Sequence, residues 1–161
     1  MRILGIDPGF AITGYSVIDY VGNKFNLITA GAIETKAKTP FPYRLSRIYD
    51  DLNEIINEYK PEVMSIEELF FNNNIKTGIN VAQARGIVLL AAYQHQIPIY
   101  EYTPLQVKQA VVGYGRAEKK QVQKMVQSIL KVDKIPKLDD ITDSMAIGIC
   151  YAHSAKFSEP L

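Results

Sequence analysis

Two short apolar runs in this chain each end in a carboxylate. Ile3–Ile6 is followed by Asp7, and Val63–Ile66 is followed by Glu67. Runs of this length and composition are typical of buried strands, and a strand that ends in an acid delivers its charge to the edge of a sheet. A fold in which the two runs are neighbours would therefore gather negative charge at one edge.

A third group of acids opens a long helical stretch near the end of the chain. Asp140 and Asp143 are spaced i and i+3, so they share a side of a helix, and Asp139 and Asp143, spaced i and i+4, do so too. Asp139 is the better N-cap residue, which favours Asp140 and Asp143 as the pair that faces a site. Strand alternation sends Glu67 and Glu68 to opposite faces without deciding which one is functional.

Converging carboxylates are costly unless cations neutralise them. Mg²⁺ prefers carboxylate oxygen ligands and keeps several of its waters. Acids at the ends of two strands and at the start of a packed helix therefore predict a metal-dependent phosphodiesterase.

The remaining pattern predicts an α/β fold in which a three-stranded antiparallel meander is followed by strand and helix units, giving a mixed five-stranded sheet flanked by helices. The length of 161 residues suits one domain over 1–161. The pattern predicts strands over 2–7, 14–20, 24–35, 62–67 and 98–102, a polar segment over 70–80, and helices over 43–59, 81–96, 104–112, 117–131 and 140–156.

Composition and charge indicate where the protein acts and what kind of partner it binds. The chain has one cysteine, no apolar run near the roughly 18 residues of a membrane span, and no signal-peptide pattern, so we expect a cytoplasmic protein away from membranes. Residues 50–68 carry a net charge of −6 and residues 101–137 a net charge of +5. The basic part predicts a surface for a polyanion, with a solvated helix face as the alternative.

Several motifs, taken together, resemble the bacterial RuvC family of Holliday junction resolvases, in the family's order and over nearly the whole chain. They are Gly5-Ile6-Asp7-Pro8-Gly9 with Thr13-Gly14-Tyr15, Ile66-Glu67 before Phe70, Gln83-Ala84-Arg85-Gly86, Gln106-Val107-Lys108-Gln109 with Val111-Val112-Gly113, Ala117-Glu118-Lys119 with Gln121-Val122, and Asp140-Ile141-Thr142-Asp143-Ser144-Met145-Ala146.

The resemblance implies an RNase H-like fold and a homodimer that nicks two strands of four-way junction DNA symmetrically, leaving 5′-phosphate and 3′-hydroxyl ends, alongside the branch-migration proteins RuvA and RuvB. It also implies two Mg²⁺ ions per subunit, with Mn²⁺ able to substitute. By motif position the catalytic, metal-binding acids are Asp7, Glu67, Asp140 and Asp143, and the DNA contacts are Phe70, Arg85, Lys108, Lys119 and Lys120.

Three other functions are compatible with parts of the sequence. Gly5–Gly9 with Thr13-Gly14 also looks like the phosphate loop of actin-like ATPases and sugar kinases, but those folds need two related domains and 161 residues are too few. An RNase H-like nuclease acting on RNA is a nearer rival. A branched-DNA binding module is the non-enzymatic alternative, although acids beside phosphate would bring it no benefit.

Overall fold

The computed structural model describes residues 1–69, 75–155 and 158–161. Along the chain, the described elements are β1 (Arg2–Asp7), β2 (Ile12–Val21), β3 (Lys24–Glu34), α1 (Phe41–Tyr59), β4 (Val63–Glu67), α2 (Ile75–Gln94), β5 (Ile99–Tyr102), α3 (Pro104–Val112), α4 (Lys119–Leu130) and α5 (Asp139–Ser154).

The five strands form one mixed sheet in the order β3-β2-β1-β4-β5. β1, β2 and β3 pair antiparallel, whereas β4 runs parallel to both β1 and β5. The prediction of a three-stranded meander followed by strand and helix units is therefore confirmed. Because β1 and β4 are parallel neighbours, their carboxyl ends meet at the same edge of the sheet.

The sheet separates two hydrophobic cores. One face packs on α1 and α2 through residues such as Leu4, Ile6 and Ile66. The other face packs on α3, α4 and α5 through residues such as Ile3, Val63 and Ile147. Side chains along β1 and β4 alternate between these cores, as the two-residue period of a strand requires.

Local signals in the sequence mark several boundaries. Gly22 and Asn23 both have positive φ, 56° and 62°, the conformation of a tight two-residue hairpin turn between β2 and β3. Thr103 caps α3 by accepting a hydrogen bond from the Gln106 backbone N–H, and Gly113 ends that helix with a φ of 94°. The α3 bounds, 104–112, agree with the predicted ones.

Four predicted helix starts differ from the observed ones. α1 begins at Phe41 and not at 43, since Pro42 is tolerated in a first turn that needs no backbone donor. α2 begins at Ile75, so residues 75–80 are helical despite Gly78 and Asn80, whose low helix propensity is overridden in the folded protein. α4 begins at Lys119 and not at 117. α5 begins at Asp139, and its N-cap residue is Leu138, with no side-chain cap hydrogen bond.

Within the described ranges, no helix is long and apolar enough to cross a membrane. That 1–161 forms a single domain stays a prediction.

Candidate metal and nucleic-acid site

The parallel pairing of β1 and β4 brings two of the predicted acids together. Ile6 is paired with Ile66, so the next residues, Asp7 and Glu67, lie side by side at the sheet edge. Both isoleucines point into the core beneath α1 and α2. Alternation therefore directs Asp7 and Glu67 to the opposite face, towards α5.

Glu68 occupies a different position from Glu67. It is exposed, whereas Glu67 is partly buried. Both border a cavity of about 240 Å³ that Asp7 also lines. The structure thus brings Glu67 into the acid cluster and leaves Glu68 at its rim.

Helix α5 lies directly on the backbone of the sheet. This close approach brings the other two acids, Asp140 and Asp143, to the end of β1. A Cβ atom at Gly5 would lie 2.2 Å from the Ser144 carbonyl oxygen, and one at Gly14 would lie 2.0 Å from the Asp140 carbonyl oxygen. Gly14 pairs with Asp7 across the strands. The start of α5 therefore sits over the end of β1.

A buried hydrogen bond also joins α5 to β4. The Ser65 hydroxyl donates to the Ile147 carbonyl oxygen over 2.8 Å. Ser65 lies two residues before Glu67, and Ile147 lies one helical turn beyond Asp143. The contact therefore ties the helix to the strand that carries Glu67.

The acids influence one another electrostatically. Burial, followed by the negative charges of Glu67, Asp143 and Asp140, raises the pKa of Asp7 to about 8. Burial and the charge of Asp143 raise the pKa of Glu67. Burial also raises the pKa of Asp143, although its hydrogen bond from Lys119 opposes the shift. The protein alone therefore does not fully compensate the negative charge that these carboxylates bear when ionised.

Two of the predicted DNA-binding lysines border a second cavity, a cleft that shares Glu67 with the first. This cleft measures about 210 Å³ and is lined by Glu67, Asp143, Lys108 and Lys119, with apolar residues of α3, α4 and α5 as its walls. The Lys119 ammonium lies 3.1 Å from Asp143 Oδ2 and 3.1 Å from Asp139 Oδ2. A cation thus already stands between carboxylates at the mouth of the cleft.

The donor set fits a hard divalent cation in chemical type, because carboxylate oxygens are its preferred ligands. Burial, and to a lesser extent the neighbouring carboxylates, raises the pKa of Asp7, Glu67 and Asp143, so a cation would favour their ionised forms. Within residues 1–69, 75–155 and 158–161, no three His, Cys, Asp or Glu side chains are already grouped as a ligand set. Side-chain movement would therefore be needed to close the acids around an ion.

The other predicted DNA contacts have different surroundings. Lys120 is exposed at the start of α4. Arg85 is only 14% exposed and forms an ion pair with Glu101, while its Nε has no partner within the described part of the chain. Phe70 lies outside the described residues. The DNA contacts proposed for Phe70, Arg85 and Lys120 stay predictions.

The N-cap prediction for Asp139 is wrong. Its carboxylate instead pairs with Lys119 and accepts a hydrogen bond from Gln123 Nε2 over 3.0 Å. The spacing of Asp139 and Asp143 did indicate a shared helix face. What sequence reasoning missed were Gly5 and Gly14, for which a glycine inside a strand is the available signal of close backbone approach.

Comparisons with known proteins show which family the chain resembles over its length. The family profile described as Crossover junction endodeoxyribonuclease RuvC matches residues 3–151. The protein of that name from Alkaliphilus metalliredigens is 57% identical over 157 residues, covering 98% of this chain and 96% of the relative. The one from Clostridioides difficile is 52% identical over 161 residues, covering 100% and 95%.

Solved structures extend the likeness to the fold. RuvC of T. thermophilus in complex with Holliday junction substrate superposes with a TM-score of 0.95 at 34% identity, covering 100% of this chain and 99% of that one. The yeast mitochondrial resolvase Ydc2, at 14% identity, a TM-score of 0.69 and coverage of 97% and 81%, shares the fold. The predicted RNase H-like architecture is confirmed.

Proposed function

The chain belongs to the RuvC family of crossover junction endodeoxyribonucleases, and from that premise we propose that it resolves four-way DNA junctions by symmetric nicking of two strands in recombination and repair. The observation that carries the chemistry is the meeting of Asp7 and Glu67 at one sheet edge, beneath the start of α5. Lys108 and Lys119 beside these acids supply positive charge for a DNA phosphate.

RuvC family nucleases depend on divalent metal ions. In this chain Asp7, Glu67, Asp140 and Asp143 would hold the metal, which we propose to be two Mg²⁺ ions per subunit, replaceable by Mn²⁺. When bound, such ions activate water and neutralise charge on a scissile phosphate. Because burial and the neighbouring acids raise the pKa of Asp7 to about 8, this carboxyl would have to give up a proton to serve as a ligand near neutral pH.

The residues around the acids have complementary tasks. Lys108 and Lys119 would bind phosphate oxygens, and Lys120 and Arg85 would extend the DNA contact. Phe70 would stack on unpaired bases near the crossover. Hydrolysis would leave 5′-phosphate and 3′-hydroxyl ends.

Symmetric nicking requires two sites, so we propose a homodimer. α2 presents exposed Ile79, Leu90 and Tyr93, the last of them 78% exposed. Their spacing puts them on one stripe of the helix. A twofold pairing of this stripe with the same stripe of a second copy would cover it.

A charge introduced into that stripe tests the dimer. Leu90→Asp is expected to shift the protein from dimer to monomer at micromolar concentration, because an unpaired buried charge opposes association. Light scattering after size-exclusion chromatography gives the mass. Val21→Asp, a change of equal polarity at another exposed apolar residue, serves as the matched control. A wild-type monomer, or an unchanged mass for Leu90→Asp, would contradict the proposed interface.

The cellular setting follows from the substrate. We propose that the protein acts in the cytoplasm, where bacterial chromosomal junctions lie, and together with the branch-migration proteins RuvA and RuvB. The likeness to the RuvC family supports both points.

A synthetic four-way junction tests the activity directly. With Mg²⁺ we expect paired nicks at symmetric positions, and little cutting of a linear duplex of the same sequence. Replacing Mg²⁺ with Ca²⁺ should keep junction binding and stop cleavage. Vigorous cleavage in the presence of a chelator would refute the metal scheme, and preferential cutting of an RNA–DNA hybrid would favour the RNA-directed rival.

A further inference from the structure

Asp139 is an exposed acid that the proposed metal site does not use. It is the first residue of α5, as Lys119 is of α4. One carboxylate oxygen, Oδ2, lies 3.1 Å from the Lys119 ammonium, and the other, Oδ1, accepts a hydrogen bond from Gln123 over 3.0 Å. Both oxygens are thus engaged, and the carboxylate is oriented towards the lysine.

Stability does not account for this arrangement. The side chains of Lys119 and Asp139 are 52% and 55% exposed, and ion pairs with that much solvent contact contribute little to folding. The same ammonium also reaches Asp143, which is 36% exposed and faces the acid cluster. Lys119 therefore bridges one acid inside the site and one outside it.

The position of Lys119 between Asp139 and Asp143 affects how a divalent cation can bind Asp143. The cation competes with Lys119 for that carboxylate and repels the ammonium. A lysine that lost its sole partner would regain the freedom of its long side chain. Because Asp139 stays available as a second partner, Lys119 can release Asp143 and still remain at the mouth of the cleft.

We propose that Asp139 is a positioning residue: it holds Lys119 at the edge of the acid cluster, easing the exchange of lysine for a divalent cation at Asp143 and keeping the ammonium in place for a DNA phosphate. This role rests on the proposed metal-dependent nuclease function, and it assigns Asp139 a task that acts only through Lys119.

Direct metal binding to the DNA-free protein tests the proposal. Titration calorimetry with Mn²⁺ is compared for the wild type, Asp139→Asn, Lys119→Met and the double variant. Asp139→Asn should weaken Mn²⁺ binding about fivefold, the order of one exposed ion pair, because the lysine is left with Asp143 alone. Lys119→Met should tighten binding, since the competing cation is gone.

The double variant separates positioning from a general charge effect. If Asp139 acts through Lys119, its removal should change Mn²⁺ affinity by less than about twofold in the Lys119→Met background. Asp139→Glu should restore most of the wild-type affinity. Asp133→Asn, which removes the same charge at another exposed site, is the matched control. Thermal unfolding should be nearly unchanged in Asp139→Asn.

Cleavage of the four-way junction by the same proteins distinguishes a failure of the positioning role from a failure of the proposed nuclease function. Wild-type protein that cuts the junction while Asp139→Asn binds Mn²⁺ normally would overturn the positioning role alone. An equal loss of affinity with and without Lys119 would overturn it too, as would the absence of any Mn²⁺ binding. Wild-type protein that binds Mn²⁺ but leaves the junction intact would refute the proposed function instead.

Discussion

Asp7→Asn is expected to abolish junction cleavage while making the metal-free protein more stable at alkaline pH. The variant removes a proposed metal ligand, so cleavage should fall below detection. It also removes a carboxylate whose pKa is raised to about 8 by burial and by Glu67, Asp143 and Asp140. An amide of similar shape avoids the cost of ionising that group among other acids.

The sign of the pH dependence follows from proton binding. Between about pH 4, the ordinary value for an aspartate, and pH 8, the folded wild type holds a proton at Asp7 that the unfolded chain has lost. Wild-type stability therefore falls across this window as pH rises, and the contribution of Asp7 is lost above pH 8. The Asp7→Asn variant does not lose folding stability in this way as pH rises.

Thermal unfolding in a chelator at pH 5 and pH 8 measures the effect. We expect the stability advantage of Asp7→Asn to grow between pH 5 and pH 8 by up to about 4 kcal/mol, or about 1.4 kcal/mol per pH unit. Adding Mg²⁺ should stabilise the wild type more than the variant. Asp133→Asn should behave like the wild type in both respects. Equal stability of Asp7→Asn and wild type at pH 8, or cleavage by the variant, would contradict the description of the acid cluster.

Gly14→Ala is expected to have the second large effect, on both stability and cleavage. Its Cβ would lie 2.0 Å from the Asp140 carbonyl oxygen and 2.4 Å from the Asp140 carbonyl carbon. These are backbone atoms at the start of α5, so the helix itself must shift. Overpacking of this kind costs about 1–3 kcal/mol. A displacement of about 1 Å at Asp140 and Asp143 would slow cleavage about a hundredfold.

Gly86→Ala is the matched control for unfolding, because among the described residues no heavy atom other than those of the local helix backbone lies within 4 Å of the added carbon. In helix α2 this change should be neutral or stabilising, by up to about 1 kcal/mol. The comparison is limited to unfolding, since Gly86 is exposed on the helix that carries the proposed dimer stripe. Circular dichroism tests whether Gly14→Ala is folded. A folded variant that cleaves at the wild-type rate would contradict the direct packing of α5 against Gly14.

The sequence was most informative where one local rule acted alone. β1 was predicted with its observed bounds because apolar residues and a terminal acid delimit it, and α3 because Thr103, Pro104 and Gly113 mark both of its ends. The start of α2 was missed because Gly78 and Asn80 favour a loop locally, whereas the observed helix continues through them.

The candidate site was likewise predictable where a local rule decided the outcome and unpredictable where the packing of distant segments did. The sequence predicted that Asp7 and Glu67 would lie close together only if their strands were neighbours. The parallel pairing of β1 with β4, and the register that turns both acids towards α5, are not fixed by a single sequence. Asp139 was expected to cap α5 because aspartate favours that position. Its pairing with Lys119, 20 residues earlier in the chain, depends on how α4 packs beside α5.

The two-sided packing of the sheet has a consequence for how this protein can change. The acid cluster and its lysines lie on the side of the sheet that α3, α4 and α5 cover, whereas the exposed stripe of α2 belongs to the opposite layer. Chemistry and assembly would thus occupy separate surfaces with the sheet as a partition between them. Substitutions could alter how copies associate without disturbing the cleft, so subunit spacing and strand scission are open to independent evolution or redesign.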